Sequence, residues 1–276
     1  MISQDKWFDA VCESYRSPPV IVDGKLLPKF PPDQIQINTT GQAGIPTLTE
    51  AFIFYQDCLN SFAECGQPIR PSDKLLDFGV GWGRISRFFL REISIDNIYG
   101  LDVMEEFIGI CKDTFGTDNF SVTTPFPPTK IANEKFNFIV GYSVFSHLSE
   151  EACAKWMEEF YRILSPGGMV ALTTRGRPFF DFCESLKDKG HKGYLNALGS
   201  MFEDIDAMRS KYDRGEVVHC NKDGVNGGGA MTSDFYGETF IPEEYARKEY
   251  SKKFKLEKFL FDSARQTHPI MIFKKI

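Results

Sequence analysis

The chain has 276 residues, 42% of them apolar and 25% charged, with a formal net charge of −6. That balance belongs to a globular protein of one large domain, or one domain with additions, and an acidic chain offers no electrostatic reason to expect nucleic acid as a partner. Every apolar run is shorter than a membrane span, and Asp5, Asp9 and Glu13 stand where a secretory leader needs a basic start and an apolar run. Seven scattered cysteines without a C-x-x-C pair suit small buried residues of a reducing cytoplasm better than a disulfide frame or a zinc site.

Residues 1–47 begin with a short helical pattern (Trp7, Phe8, Val11, Tyr15). Pro18-Pro19, Pro28, Pro31-Pro32 and Pro46 then argue against a long helix or a central strand. The expectation is an N-terminal arm or cap that packs over a domain of residues 48–276, with Phe30, Ile35 and Ile37 partly buried. Residues 48–66 are expected to form a helix capped by Thr47 or Thr49. Phe52, Tyr55, Leu59 and Phe62 make its apolar face, and the helix stops at Gly66 and Pro68. Tyr55 is either a core residue or one that reaches a ligand, the core being favoured.

The stretch from Lys74 to Asp102 carries the strongest signal. Leu75-Leu76 lead into Asp77, and Gly79, Gly81 and Gly83 follow two apart. Ile85, Phe88 and Phe89 then recur at helical spacing, and Ile98-Tyr99-Gly100-Leu101-Asp102 forms a second strand. A glycine turn between strand and helix lets backbone approach a ligand closely and leaves the first helical N–H groups free to bind it. An acidic side chain about twenty residues on, at the end of the next strand, suits a ribose. The dinucleotide fingerprint G-x-G-x-x-G is not met, because position 84 is Arg84. Asp77 would repel a pyrophosphate and suits a cofactor with ammonium and sulfonium charges.

The next helix spans Glu105 to Phe115, with Phe107, Ile108, Cys111 and Phe115 inward. Phe120 to Thr123 is the third strand, followed by Thr124 and a connection stiffened by Pro125, Pro127 and Pro128. Phe136 to Gly141 is apolar almost throughout, as a parallel strand buried on both faces should be. Tyr142-Ser143-Val144-Phe145-Ser146-His147-Leu148 follow, beyond the carboxyl end of that strand, where open parallel sheets bind ligands. Ser149 is placed to cap a helix with Ala152, Trp156, Phe160, Ile163 and Leu164 on its apolar face. Ser165-Pro166-Gly167-Gly168 is expected to end it with a left-handed glycine turn before a fifth strand at Met169 to Thr174.

Beyond Arg175, Phe179 to Leu186 is helical in pattern. Residues 190–235 form an insertion, in which Tyr194 to Met208 reads as one helix and Val217 to Cys220 as a short strand. The glycine-rich loop Gly224 to Gly229, containing Asn226, is a plain turn or a lid. Pro242-Glu243-Glu244 starts a helix, and Phe254 to Phe261 and Pro269 to Phe273 supply two last strands.

The acidic residue before Gly-x-Gly-x-Gly, the acidic end of the second strand and the Tyr161-Arg162-Ile163-Leu164 to Pro166-Gly167-Gly168 run occur in that order. Over Leu75 to Thr174 the chain thereby resembles the class I S-adenosylmethionine-dependent methyltransferases. The resemblance implies an α/β Rossmann-like sheet of seven strands in the order 3-2-1-4-5-7-6, with the last strand antiparallel and the insertion falling before strand six. It implies S-adenosyl-L-methionine as cofactor. Asp77, Gly79, Gly81 and Gly83 would line its methionine and ribose part, Asp102 would hold the ribose hydroxyls, and Val103 and Met104 would lie beside the adenine. Thr124 stands where many relatives place an acid toward the adenine, and Tyr142 borders the same pocket. The Gly-Trp-Gly-Arg turn, the Ser-Val-Phe-Ser-His-Leu segment and the Tyr-Gly-Glu element resemble bacterial members that act on small molecules or glycans. This makes O-methylation of a small molecule or sugar the first expectation, with N-methylation open.

Transfer to an oxygen benefits from a base, and His147 is the candidate, set against a structural histidine at a strand-to-helix corner. Arg175, Tyr236 and Glu238 are acceptor-side candidates. His191, His219 and His268 have no ligand spacing, so no metal is expected. Two other functions compete: a non-catalytic cofactor-binding relative, favoured by the missing acid at Thr124, and a nicotinamide-dependent oxidoreductase, disfavoured by Asp77 and the glycine spacing.

Overall fold

A computed structural model describes residues 2–225, 227 and 229–276, so Asn226 of the glycine-rich loop lies outside the described residues. The described chain divides into two compact units. The first runs to Thr123 and includes residues 135–142 and 264–266; the second holds residues 124–134, 143–263 and 267–276.

In the first unit, helix α1 (Gln4–Arg16) opens at Ser3, whose hydroxyl accepts a hydrogen bond from the Lys6 amide, and buries Trp7 and Val11. Strands β1 (Ile21–Val22) and β2 (Lys25–Leu26) pair as a two-stranded ribbon. Helix α2 (Asp33–Thr40) follows, a short helix of eight residues within the proline-rich stretch. Pro32 occupies the position before the helix, where a missing N–H costs nothing, and Gly41 at φ +76° ends it. Helix α3 (Ile45–Glu64) starts from Gly44 with Pro46 in its first turn, so neither Thr47 nor Thr49 caps it. Proline is preorganised for that position, and the Gly44 amide donates to the buried Gln36 side chain. Tyr55 lies in the core, its hydroxyl donating to Glu92.

Strand β3 (Leu75–Phe78) is buried throughout. After the glycine turn the chain forms only one helical turn, α4 (Ser86–Phe89), shorter than the apolar spacing suggests. Strand β4 (Ile98–Asp102), helix α5 (Glu105–Phe115) and strand β6 (Phe136–Gly141) have the expected bounds, and strand β5 (Phe120–Val122) ends one residue before the expected Thr123. The strands pair in parallel, with Asp77 opposite Gly100, Leu76 opposite Ile139 and Leu101 opposite Ser121.

In the second unit, Ser149 caps α6 (Glu150–Ile163) by accepting from the Ala152 amide. Strand β7 (Leu164–Thr173) begins directly after it. Ser165 to Gly168 therefore belong to the strand rather than to a separate turn, although Gly167 does take φ +72°. Helices α7 (Pro178–Leu186), α8 (Gly193–Ser200) and α9 (Ile205–Asp213) follow. The single helix expected over Tyr194 to Met208 is thus two. Asp204 accepts from the Ala207 amide and starts α9 afresh, as an aspartate at an N-cap does. Strands β8 (Val218–Cys220) and β9 (Glu238–Phe240) pair antiparallel. Helix α10 (Glu243–Glu249) and strands β10 (Phe254–Leu260) and β11 (Ile270–Lys275) complete the unit. Phe180 and Phe240 stack at 4.1 Å inside a core that also buries Cys183, Leu198 and Val218.

Seven strands form one sheet in the order β5-β4-β3-β6-β7-β11-β10. Strand β11 runs antiparallel to both β7 and β10. This is the expected order 3-2-1-4-5-7-6 with its last strand reversed. Among the described residues no helix is long and apolar enough to cross a membrane.

Candidate functional site

The turn after β3 is built on backbone conformations that favour glycine. Gly79, Gly81 and Gly83 have φ of +71°, +51° and +81°, a region that side chains rarely tolerate. The Leu101 carbonyl at the end of β4 accepts from the Gly79 and Val80 amides at 2.8 and 3.0 Å. The two glycines beyond differ in their surroundings. A Cβ on Gly83 would lie 2.3 Å from the Phe115 ring, whereas a Cβ on Gly81 would meet nothing within 4 Å. Gly83 is thus fixed by packing from below. Gly81 presents bare backbone to open space.

Asp102 accepts from the Gly81 amide through Oδ2 and from the Met104 amide through Oδ1, each at 2.9 Å. Burial raises its carboxyl above the ordinary value, against the pull of the Met104, Gly81 and Val103 amides. Each oxygen keeps lone-pair capacity for a further donor. Val103 and Met104 are half-buried beside it. Asp77 is buried one strand over, with Oδ2 accepting from the Ser86 amide at 3.0 Å and the Ser86 hydroxyl at 2.7 Å. Burial pushes its carboxyl up to about 7, against the two Ser86 bonds that favour the charged form. A cationic ligand group would supply the compensation that this carboxylate lacks.

Arg84 neither faces solvent nor offers a vacant charge. Its guanidinium pairs with Glu50 at 2.7 Å, donates to Thr47, and lies 4.9 Å over the Tyr142 ring. Tyr142 also meets Phe54 edge-on at 5.0 Å. The first unit thereby gathers Asp77, Gly79, Gly81, Gly83, Asp102, Val103 and Met104 around one turn, with Tyr142 joined to it through Arg84. Thr124 belongs to the second unit, where its exposed hydroxyl donates to the Phe126 carbonyl at 2.6 Å.

The second unit gathers His147, Arg175, Tyr236 and Glu238. His147 Nδ1 lies 2.8 Å from the Gly237 carbonyl and 3.3 Å from Glu238 Oε1. Its Nε2 is 3.4 Å from the Ser143 hydroxyl, and its ring stacks on Tyr236 at 4.9 Å with an interplanar angle of 1°. Glu238 is wholly buried and accepts from Arg175 Nε at 2.7 Å. Burial would raise its carboxyl, but His147 and Arg175 hold it down at about 2. Arg175 also donates to His268 Nε2 at 2.6 Å and to the Tyr194 hydroxyl at 3.2 Å. Burial would weaken the arginine's charge, and Glu238 more than offsets this. Tyr194 donates to Glu238 Oε1, and burial together with that carboxylate pushes the phenol up.

Sequence reasoning missed Tyr194, His268 and Ser143 in this cluster. His268 is dismissed by a search for metal spacing, since its partner is an arginine. Ser143 carries a signal only in the structure, a φ of +58° two residues after β6, which is uncommon for a serine.

Residues 75–168, about a third of the chain, match the model of a family described as a methyltransferase domain. A comparison with curated proteins found no match. Among solved structures, the chain is similar to an S-adenosylmethionine-dependent methyltransferase from Clostridium acetobutylicum. The two are 12% identical over 88% of this chain and 96% of that one, with a TM-score of 0.56. It is also similar to an S-adenosylmethionine-dependent methyltransferase from Mesorhizobium loti, 11% identical over 77% and 95% of the two chains, with a TM-score of 0.50. At these identities the likeness shows the fold. The methyltransferase-domain match falls on the glycine turn and strand ends described above, and the sheet around them has the fold of these enzymes.

Proposed function

We propose that the protein methylates a hydroxyl oxygen of a small neutral acceptor, a sugar or other hydroxylated metabolite. His147 is the base in this reading. The observation that carries it is the pairing of His147 Nδ1 with Gly237 and Glu238, which leaves Nε2 toward the Ser143 hydroxyl. An oxygen nucleophile must lose a proton as it attacks, and a neutral imidazole nitrogen is suited to take it. A neutral acceptor is favoured because the Arg175 guanidinium is already engaged by Glu238, His268 and Tyr194.

When bound, the cofactor supplies a methyl carbon already activated by the sulfonium charge, so that positioning is the protein's main task. The open backbone at Gly81 and the remaining lone pairs of Asp102 fit a ribose. Gly79 and Gly83 shape the same turn, and Asp77 fits the ligand's ammonium. Val103 and Met104 are assigned to the adenine, with Tyr142 at the edge of the cofactor site. On the acceptor side, His147 Nε2 takes the hydroxyl proton as the oxygen gains its methyl group, and Glu238 stabilises the imidazolium that results. Tyr236 offers a ring face to the acceptor, and Arg175 keeps Glu238 ionised. The cysteine pattern favours the cytoplasm as its setting.

The test is release of S-adenosylhomocysteine from S-adenosylmethionine over a panel of neutral hexoses, phenols and primary amines. Turnover of hydroxyl compounds, reduced about 10²- to 10⁴-fold in His147→Ala, is expected. Turnover of the amines alone, or a fully active His147→Ala, would contradict the reading.

A further inference from the structure

His147 Nδ1 faces two groups that can only accept, the Gly237 carbonyl and the Glu238 carboxylate. The proton of the neutral ring must therefore sit on Nδ1. Nε2 is left bare toward Ser143. A flip of the ring about Cβ–Cγ would put Cδ2 where Nδ1 now stands and lose both contacts.

Glu238 is itself held rigidly. It has no exposed surface, Oε2 is bound by Arg175 Nε, and Oε1 is bound by Tyr194 as well as facing His147. Arg175 is fixed in turn. An arginine can only donate, so His268 Nε2 accepts from it, and the Nδ1–H of His268 meets the Thr267 hydroxyl at 2.7 Å. The Arg175 guanidinium also lies 4.0 Å over the Phe179 ring. The groups that face His147 or its carboxylate are thus Ser143, Tyr194, Arg175, Tyr236 and Glu238. His219 stands close enough to feel the charges of Glu238 and His147.

We infer that Glu238 is a positioning residue for the reaction: it fixes His147 as the Nδ1–H imidazole and so makes Nε2 the atom that accepts the acceptor's proton. Arg175, His268 and Tyr194 hold Glu238 ionised and in place for that role. The inference rests on the base role proposed for His147. It adds which nitrogen acts, what selects it, and why Arg175, Glu238 and His268 are buried together at a site whose acceptor is neutral. Without Glu238 the Gly237 carbonyl alone orients the ring, and the imidazolium formed on proton transfer loses its counter-charge.

The test is long-range ¹H–¹⁵N NMR of the neutral His147 ring in the full chain at pH 9, assigned through loss of its signals in His147→Ala. The unaltered protein should show the Nδ1–H tautomer. In Glu238→Gln, one of the two acceptors that select this tautomer is lost and the Nε2–H form should become populated. Because Glu238→Gln leaves Arg175 uncompensated, Glu238→Gln/Arg175→Gln is measured beside it, and the same change of tautomer is expected. An Nε2–H tautomer in the unaltered protein would overturn the inference, as would a tautomer unchanged in both variants. If the tautomer behaves as expected while His147→Ala turns over hydroxyl acceptors normally, the base role falls, and with it the catalytic meaning of the positioning.

Discussion

The amide of Gly81 donates to Asp102 Oδ2 at 2.9 Å. This bond ties the turn after β3 to the carboxylate that ends β4, two strands that pair with Asp77 opposite Gly100. The open backbone of the turn and the acid proposed to meet the ribose are thereby held together as one unit before any ligand binds. Preorganisation of this kind lowers the cost of binding.

Gly81→Ala and Gly83→Ala should separate affinity from stability. At Gly83 an added methyl meets the Phe115 ring at 2.3 Å, and φ is +81°, so overpacking and strain act together and unfolding should become easier by about 1–3 kcal/mol. At Gly81 the added methyl meets no protein atom. It should weaken S-adenosylmethionine binding while costing less stability than Gly83→Ala. Thermal unfolding and calorimetric titration on both variants check this. Equal losses of stability with unchanged affinity in Gly81→Ala would remove Gly81 from the cofactor site.

Asp102→Ala should weaken S-adenosylmethionine binding by about 1–3 kcal/mol, the scale for hydrogen bonds to a charged group. Part of that loss comes through the turn, because Gly81 and Met104 lose their acceptor as well. A dissociation constant unchanged in the variant would argue against Asp102 as the ribose acceptor.

Much of this was legible in the residues because it is local. The bounds of β4, α5 and β6 follow from apolar runs and a glycine stop, and Ser149 caps α6 as its type predicts. The glycine turn announces itself through spacing. The buried cluster is different, since its members are joined only by tertiary folding. Arg175 reaches Glu238 across 63 residues and His268 across 93. Nothing in the local pattern of His268 marks it as the acceptor for an arginine. Local rules also failed where a proline or an aspartate changed its meaning with position. Pro32 and Pro46 start helices instead of forbidding them, and Asp204 divides one apolar stretch into two helices.

The buried carboxyl of Asp77 gives cofactor binding a pH dependence of definite sign. Its folded value of about 7 lies above its ordinary 3.8. The protonated form is therefore favoured on folding, and the contribution of this group to stability is fully present below 3.8 and lost as pH rises through about 7. A ligand ammonium favours the ionised form instead. Binding should then release a proton between about pH 4 and 7, and affinity should fall about tenfold per pH unit below 7. Titrations at pH 6 in buffers of different ionisation enthalpy should detect that proton, and Asp77→Asn should abolish its release. Binding without proton release at pH 6 would show that Asp77 does not meet the ligand's charge.

The most direct measurement is calorimetric titration of the unaltered protein with S-adenosylmethionine, S-adenosylhomocysteine and NADH. Saturable binding of the first two with one site per chain, and none of NADH, is the expected result. Binding of NADH with no response to either adenosyl compound would contradict the assignment of the glycine turn and Asp102 to a sulfonium cofactor.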